Sequence, residues 1–369
     1  MFNNKFVQKA KKFSSFYKKC LIYAILIIRK NLFYKEGVIL IPNYINEWIE
    51  IIENMNTTTT YKLAWGKAII DCIKDNNYEE KEGFILITID SLAYNVLRYY
   101  WNQEYFFHLK QAGPQAKNKS IILEEVIKLI NIYEQIVCSK NPIWFDRAVL
   151  DIKKHNLPKF NQAIRRIGKN LIDNPCKYFV HIGNEKYYYV YNLNANKNMI
   201  LIKKCDASCL NEYANILIQI INYKWSQLLE EYNNAPKINQ KVARASERKI
   251  RRKNLSNFIK YLILTSNNEY KDFYTGKILD KNDISVDHVI PWSFMYSDDI
   301  WNLVLTSKSY NSSKGNRVPT EEEIKLLNKR NIELLKVIED KKYKEKLAEA
   351  INNNYVDKFY NNCKYELKY

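Results

Sequence analysis

The sequence predicts an α+β protein with a helical N-terminal region, a small β-containing middle module and a C-terminal domain of two strands and a helix. Apolar residues recur at helical spacing from Ile41 to Lys153. Aromatic and β-branched runs after Pro175 are split by Gly183–Asn184, which indicates a β-hairpin. Residues 273–320 follow the order strand, loop, strand, helix, which predicts a separate small domain.

Residues 38–153 predict a helical domain. Tyr61–Lys74 is apolar on most faces, so this helix is expected to be buried. Ile87–Tyr105 predicts a second helix with Asp90 or Ser91 as its N-cap, and Ser120–Cys138 a third.

Residues 154–235 predict a β-hairpin plus helix module. The hairpin strands are Lys177–Ile182 and Lys186–Tyr191, and Asn198–Cys205 is a third strand. Leu210–Tyr232 is amphipathic and is expected to back the sheet. Residues 236–369 then form the last domain, with a basic leading helix and C-terminal helices. The first of these helices is expected to begin with a capping box at Thr320–Glu323, and residues 321–350 are expected to cover the core of the domain.

The net charge of +18 favours partners that are anionic, namely nucleic acid or a membrane surface. An A/T-rich genome, which enriches Lys and Asn codons, is the alternative source of this charge. The 7 cysteines contain no CxxC pair, which fits a reducing cytoplasm without a disulfide framework. Cys205 and Cys209 are the closest pair and give only a weak zinc signal.

Residues 1–37 form a basic N-terminal extension. Its apolar run, Cys20–Ile28, is too short to cross a bilayer as a helix. We expect a short amphipathic helix or a dispensable extension, with export as the alternative, and no membrane partner.

A second basic segment, residues 237–253, precedes the last domain and is suited to following a phosphate backbone. A solvated linker is the alternative. With two cations of the last domain, the predicted nucleic-acid-binding residues are Arg244, Arg248, Arg251, Arg252, Lys253, Lys308 and Arg317.

Asp287 and His288 lie side by side in a predicted strand and suit phosphodiester hydrolysis. One histidine can deprotonate water, and a hard divalent cation on oxygen ligands can offset phosphate charge. Neighbours in a strand point to opposite faces, so a second element must complete the site. Asn302 and Asn311 supply amide oxygens without adding negative charge.

The runs VDHVIPWSF, DDIWNLVL and NSSKGNRVP resemble the HNH (ββα-metal) nuclease family, in the version whose third motif residue is Asn. The segment is similar to the HNH domain of RNA-guided CRISPR effectors and of stand-alone bacterial HNH nucleases. The resemblance implies that His288 is the general base, with Asp287 and Asn311 as metal ligands. It also implies that Asn302 holds the loop and orients the histidine, and that Lys314 contacts the phosphate.

Many HNH relatives carry two Cys pairs that bind a structural zinc, and this sequence departs from them. Asp272 and Thr275 stand at the first pair, and Ser307 and Tyr310 at the second, so no structural zinc is expected. Hydrophobic packing is expected instead, from Phe273, Tyr274, Trp292, Phe294 and Trp301.

These features predict a Mg²⁺- or Mn²⁺-dependent endonuclease that cuts DNA in bacterial restriction or phage defence, as a homodimer or with a defence-system partner. The alternatives are a partner-gated effector subunit and a DNA-binding module with little cutting of its own. The other histidines, at 108, 155 and 181, lack ligand partners in the sequence and are expected to be structural or exposed.

Cleavage is expected to slow in acid, because a histidine serves as a base only when it is neutral. The measurement is the cleavage rate between about pH 8 and about pH 5, the interval in which histidine usually changes charge. A flat rate across this interval would contradict the role of His288.

Overall fold

The computed structural model describes residues 41–56, 59–111, 120–182, 186–249 and 252–367. The predicted N-terminal extension, the Gly183–Asn184 turn and Arg251 lie outside these ranges. Within them, no helix has the length and apolar character needed to span a membrane.

The structure alternates long helices with short strands, and we number both in chain order. The helices are α1 (Asn43–Asn54), α2 (Tyr61–Lys74), α3 (Ile89–Trp101), α4 (Ile121–Val137), α5 (Phe145–Asp173), α6 (Pro175–Tyr178), α7 (Lys204–Glu230), α8 (Ile238–Arg244), α9 (Ile259–Leu262), α10 (Trp292–Met295), α11 (Lys308–Lys314), α12 (Glu321–Val337), α13 (Lys341–Asn352) and α14 (Tyr355–Glu366). The strands are β1 (Glu79–Lys81), β2 (Phe84–Thr88), β3 (His181–Ile182), β4 (Lys186–Tyr187), β5 (Asn192–Leu193), β6 (Met199–Lys203), β7 (Ile284–His288) and β8 (Leu303–Ser307). The predicted α+β class is confirmed.

An antiparallel sheet with the spatial order β1-β2-β6-β5 lies among the helices of the first two thirds of the chain. Ile85 and Ile87 of β2 pair with Ile202 and Ile200 of β6, and all four are buried. Alternate residues of a strand share a face, so these isoleucines form the apolar side of the sheet. Helix α7 packs on β2 and β6, which confirms the predicted backing helix, and also packs against the buried helix α2.

The β1–β2 hairpin lies in the segment predicted to be entirely helical. Its turn places Glu82 at φ 51° and Gly83 at φ 80°, the left-handed region that tight hairpin turns require. Because β2 extends to Thr88, the N-cap of α3 is Thr88 rather than Asp90 or Ser91. The Thr88 hydroxyl accepts a hydrogen bond from the backbone N–H of Ser91 at 3.1 Å.

The middle hairpin is shorter than predicted. Pro175 opens helix α6, where the fixed φ of proline is favourable, and this helix takes up the first two residues of the predicted strand. Only His181–Ile182 and Lys186–Tyr187 pair as β3 and β4. The predicted domain boundary at residue 153 lies inside helix α5. The sheet contains strands from both sides of this boundary, because β6 pairs with β2.

The C-terminal helices cover the β7–β8 pair, as the sequence predicts. Thr320 and Glu323 form the predicted capping box at the start of α12. Ile324 and Leu327 of α12 and Leu347 of α13 are buried in one cluster with Leu303 and Leu305 of β8. This core supports the strand pair from behind.

Gly66, in the middle of α2, predicts an unusual response to alanine. Alanine ordinarily stabilises a helix relative to glycine, by about 1 kcal/mol. Here an added Cβ would lie 2.6 Å from Cε2 of the buried Phe179 ring. We therefore expect Gly66→Ala to lower the free energy of unfolding by roughly 1–3 kcal/mol, measured by urea denaturation.

The double variant Gly66→Ala/Phe179→Leu is the control, since a smaller side chain at 179 makes room for the methyl group. Its destabilisation should be smaller than the sum of the two single effects. A stabilised Gly66→Ala protein would show that the ring moves freely.

Candidate active site

Strands β7 and β8 pair antiparallel and are followed directly by α11, the strand–strand–helix order that the sequence predicts. Asp287 pairs with Val304 and His288 with Leu303. Ser307 caps α11, and its hydroxyl accepts a hydrogen bond from the N–H of Tyr310 at 3.0 Å. The register therefore sets Asp287 and His288 near the end of β7, opposite the start of β8.

Asn302 stands just before β8, is 1% exposed, and clamps the loop after β7. Its amide nitrogen donates to the carbonyl oxygen of Ile290 at 2.8 Å, and its amide oxygen accepts from the N–H of Ile290 at 2.8 Å. The N–H of Val289 donates to the Asn302 carbonyl at 2.9 Å. These three bonds hold the chain immediately after His288.

A cavity of about 440 Å³ opens at this end of the strand pair. Its lining includes Asp287 and His288 of β7 and Asn311 of α11, so residues from two elements meet here, as the sequence predicts. The amide nitrogen of Asn311 donates to the hydroxyl of Ser285 at 2.8 Å. That bond fixes the amide and leaves its oxygen for another partner.

The carboxylate of Asp287 is held by two donors. The hydroxyl of Tyr274 donates to Oδ2 at 2.6 Å, and the ammonium of Lys314 lies 2.9 Å from the same oxygen. Burial, followed by the charge of Asp287, raises the pKa of Tyr274 far above its ordinary range, so this hydroxyl is a proton donor.

Lys314 differs from the expected phosphate contact. Its side chain is 1% exposed, and its nitrogen also donates to the carbonyl oxygen of His288 at 2.8 Å. Because the residue ends α11 and points its charge at Asp287, it is not among the residues that line the cavity. The ammonium therefore forms an internal ion pair in this structure, and its contact with phosphate stays a prediction.

His288 has a partner that sequence reasoning missed. Its Nε2 lies 3.1 Å from Oδ1 of Asp298, which also accepts a hydrogen bond from Nε1 of Trp292 at 3.1 Å. The hydrogen bond from His288 and the one from Trp292 keep the pKa of Asp298 below its ordinary value despite partial burial. The adjacent carboxylates Asp298–Asp299 in the loop were the available signal.

The cavity offers the donor set of a hard divalent cation. Asp287 brings a carboxylate oxygen and Asn311 an amide oxygen, the ligand types that Mg²⁺ and Mn²⁺ prefer. Across the described residues, no group of three or more His, Cys, Asp or Glu side chains is arranged to hold a metal ion. An amide ligand lies outside that class of cluster, so the site fits a cation held by few protein ligands.

The loop after β7 packs against the helical region. The Trp292 ring contacts the ring of Phe106 edge-on with centroids 6.4 Å apart, and Tyr296 contacts Phe107 at 5.3 Å. The ammonium of Lys241 donates to the carbonyl oxygen of Phe294 at 2.6 Å, and burial lowers the pKa of Lys241 to about 7.

The helical region also contributes Asn141 and Pro142 to the cavity lining. The Asn141 side chain lies close to the backbone of residue 315. This approach is possible because residue 315 is a glycine at φ 54°, where an added Cβ would collide with the Asn141 side chain. Residues before position 236 therefore form part of the cavity wall.

The predicted nucleic-acid-binding residues separate into two groups. Arg252, Lys253 and Lys308 line the cavity. Arg244 is paired with Glu247, Arg248 with Asp75, and Arg317 with Glu323. The paired arginines do not line the cavity, and a nearby carboxylate in each case offsets the charge that was expected to face phosphate. Histidines 108, 155 and 181 also lie outside the cavity lining.

The carboxylate of Asp272 connects the two positions at which many HNH relatives carry their zinc-binding Cys pairs. Asp272 is 3% exposed, and its Oδ1 accepts hydrogen bonds from the N–H groups of Tyr274 and Thr275 at 2.9 and 2.8 Å. Its Oδ2 accepts from the Thr306 hydroxyl at 2.8 Å and from the Ser307 N–H at 3.2 Å. The turn at residues 272–276 is thus joined to β8 by hydrogen bonds as well as by the predicted hydrophobic packing.

Only part of the predicted hydrophobic packing lies at this place. Phe273 and Tyr274 pack edge-on with centroids 5.0 Å apart, and Tyr274 stacks on Tyr310 at 4.6 Å. Trp292 belongs to the active-site loop, and Trp301 stacks on Phe359 at 5.8 Å.

Comparison with known proteins yields two family matches. Residues 272–320 match the family model of the HNH endonuclease, and residues 45–246, more than half of the chain, match a domain of unknown function, DUF8808. The CRISPR-associated endonuclease Cas9 of Listeria innocua is 48% identical over 52 residues, which are 13% of this chain and 4% of that protein. The chain thus matches only a small part of this relative's length. No solved structure matches the chain.

The Asp272 bridge predicts an acid-dependent loss of stability. Burial opposes ionisation of this carboxyl, but hydrogen bonds from Thr275, Thr306 and Ser307 outweigh it and hold its pKa below the ordinary value. A lowered folded-state pKa contributes stability above the unfolded-state pKa of about 4, and this contribution is lost as the pH falls through the folded-state value.

Asp272→Asn should therefore lower the free energy of unfolding by about 1–3 kcal/mol at neutral pH. The difference in this free energy from the unsubstituted protein should become smaller in acid. The measurement is urea unfolding of both proteins at about pH 7 and about pH 3. A difference in free energy of unfolding that stays constant over this pH range would show that the charge of Asp272 does not contribute to stability.

Proposed function

Because the chain belongs to the DUF8808 family and carries an HNH endonuclease domain, we propose that it is a Mg²⁺- or Mn²⁺-dependent endonuclease that hydrolyses DNA phosphodiester bonds. The observation that carries the proposal is the shared cavity of Asp287, His288 and Asn311. This set combines a base with two hard oxygen ligands, which is the chemistry that phosphodiester hydrolysis needs.

His288 is the general base in this proposal. In this proposal, Nε2–H of His288 donates a hydrogen bond to the ionised Asp298, which favours the tautomer whose Nδ1 is free to accept a proton. Nδ1 takes a proton from water as the water oxygen forms a bond to phosphorus. The bond from phosphorus to the 3′ oxygen then breaks, and that oxygen leaves with the electron pair.

Asp287 and Asn311 would hold the divalent cation. The bound cation offsets the negative charge of the phosphate and of the leaving oxygen. Asn302 keeps the loop that follows His288 in place through its two bonds to Ile290, and Lys314 balances the charge of Asp287 from the protein side.

We assign DNA contact to the three cations of the cavity, Arg252, Lys253 and Lys308. The guanidinium of Arg252 lies over the Trp292 ring at 4.7 Å, which holds it at the cavity edge next to Asp298. Cations at the cavity neutralise the phosphate charge of a bound DNA strand.

We propose bacterial restriction or phage defence in the cytoplasm as the biological setting. Its support is the similarity of the HNH segment to a CRISPR-associated endonuclease. One ββα site cuts one strand, so a double-strand cut requires a homodimer or two encounters.

A partner-gated effector is the second candidate, and one observation favours it. The loop that carries Asp298 rests on Phe106 and Phe107 of the DUF8808 region, so a partner that binds this region has a direct route to the active site. This candidate predicts DNA binding without cutting by the isolated protein.

The test is cleavage of supercoiled plasmid with Mg²⁺, Mn²⁺ or EDTA. We expect nicking or linearisation with either metal and none with EDTA. His288→Ala should lower the rate by about 100-fold or more, because the base is lost. The matched control is His155→Ala, an exposed histidine of α5 outside the cavity, which should cut at the unsubstituted rate.

Equal cutting by the His288→Ala protein would contradict the assigned base. No cutting by the unsubstituted protein, with DNA retained in a gel shift, would instead favour the partner-gated effector or a binding module.

A further inference from the structure

We propose that Tyr274 is a positioning residue for the metal ligand Asp287, and that the Asp272 carboxylate holds Tyr274 in this role. The inference rests on the proposed function, since it assumes that Asp287 binds a cation. It adds a residue that lies outside the motif runs from which the site was predicted.

The contact itself is direct. The Tyr274 hydroxyl and the Lys314 ammonium both use Oδ2 of Asp287, at 2.6 and 2.9 Å. Two donors on one oxygen fix the rotation of the carboxylate and assign Oδ1 to the cation. A hydrogen-bonding partner behind a metal ligand sets both its orientation and its affinity for the metal.

Tyr274 and Lys314 contribute differently to this arrangement. The Lys314 ammonium has three equivalent donors and is shared between Asp287 and the carbonyl oxygen of His288, so it stabilises the charge of Asp287 more than it sets the direction of the carboxylate. A phenol on a rigid ring donates along one direction and adds no positive charge beside the cation site. Tyr274 is therefore the residue that orients the carboxylate.

The ring of Tyr274 contacts two aromatic neighbours, and its backbone is bonded to Asp272. It stacks on Tyr310 with an interplanar angle of 23° and packs edge-on against Phe273. Asp272 accepts the N–H of Tyr274 through one oxygen and bonds to Thr306 and Ser307 of β8 through the other. A carboxylate thus ties the turn to the same strand pair that carries Asp287.

Tyr274→Phe tests the proposal, because it removes the hydroxyl and keeps the ring and its stacking. Mn²⁺ binding without DNA is measured by titration calorimetry, and cleavage is measured over a range of Mn²⁺ concentrations. We expect the Mn²⁺ dissociation constant to rise by about tenfold or more, and the cleavage rate to recover partly at high Mn²⁺.

The matched control is Tyr310→Phe. The Tyr310 hydroxyl accepts a hydrogen bond from Arg317 at 3.2 Å and makes no bond to Asp287, and the substitution keeps the stacked ring. Its Mn²⁺ affinity should stay within about twofold of that of the unsubstituted protein, well below the change expected for Tyr274→Phe. Thermal unfolding of both variants separates a loss of metal affinity from a loss of fold.

Unchanged Mn²⁺ affinity in Tyr274→Phe, or an equal loss in Tyr310→Phe, would overturn the positioning role. Absence of saturable Mn²⁺ binding by the unsubstituted protein would overturn the metal-dependent function on which the role rests. The two failures are therefore distinguishable in one titration series.

Discussion

Asp287 is 6% exposed, and a carboxylate so far from water is stable only when other groups replace its hydration. Lys314 supplies the opposite charge and Tyr274 a neutral hydrogen bond. Each partner then needs support of its own. Lys314 is fixed at the end of α11, and Tyr274 depends on the turn that Asp272 ties to β8. Helix α11, the turn at residues 272–276 and strand β8 thus all support the buried charge of Asp287.

The loop after β7 also links the two family regions of the chain. The His288 partner Asp298 lies on a loop whose aromatic residues, Trp292 and Tyr296, pack on Phe106 and Phe107. Lys241 reaches the same loop through the Phe294 carbonyl. Because the loop shares its apolar surface with the helical region, the nuclease site depends on residues far from it in the sequence.

Patterns of short range were predicted well. The buried helix Tyr61–Lys74, the capping box at Thr320 and the strand–strand–helix order of the last domain depend on local spacing, and each is found where the pattern puts it. The β1–β2 hairpin was missed because its short strands are stabilised by β6, more than a hundred residues away. The pairing of Arg244, Arg248 and Arg317 with carboxylates was equally invisible, because a count of basic residues does not show what lies beside each one.

The sequence by itself selected the residues of the candidate site, since Asp287, His288, Asn302 and Asn311 stand in runs that resemble the HNH motif. The tertiary structure alone decided which side chains support them. Asp298, to which the sequence assigned no role, meets His288, Lys314 turns inward to Asp287, and Asp272 connects the two positions of the Cys pairs. The physical reason is that a motif specifies ligands and bases, whereas the hydrogen bonds that orient them come from whichever residues the fold brings within about 3 Å.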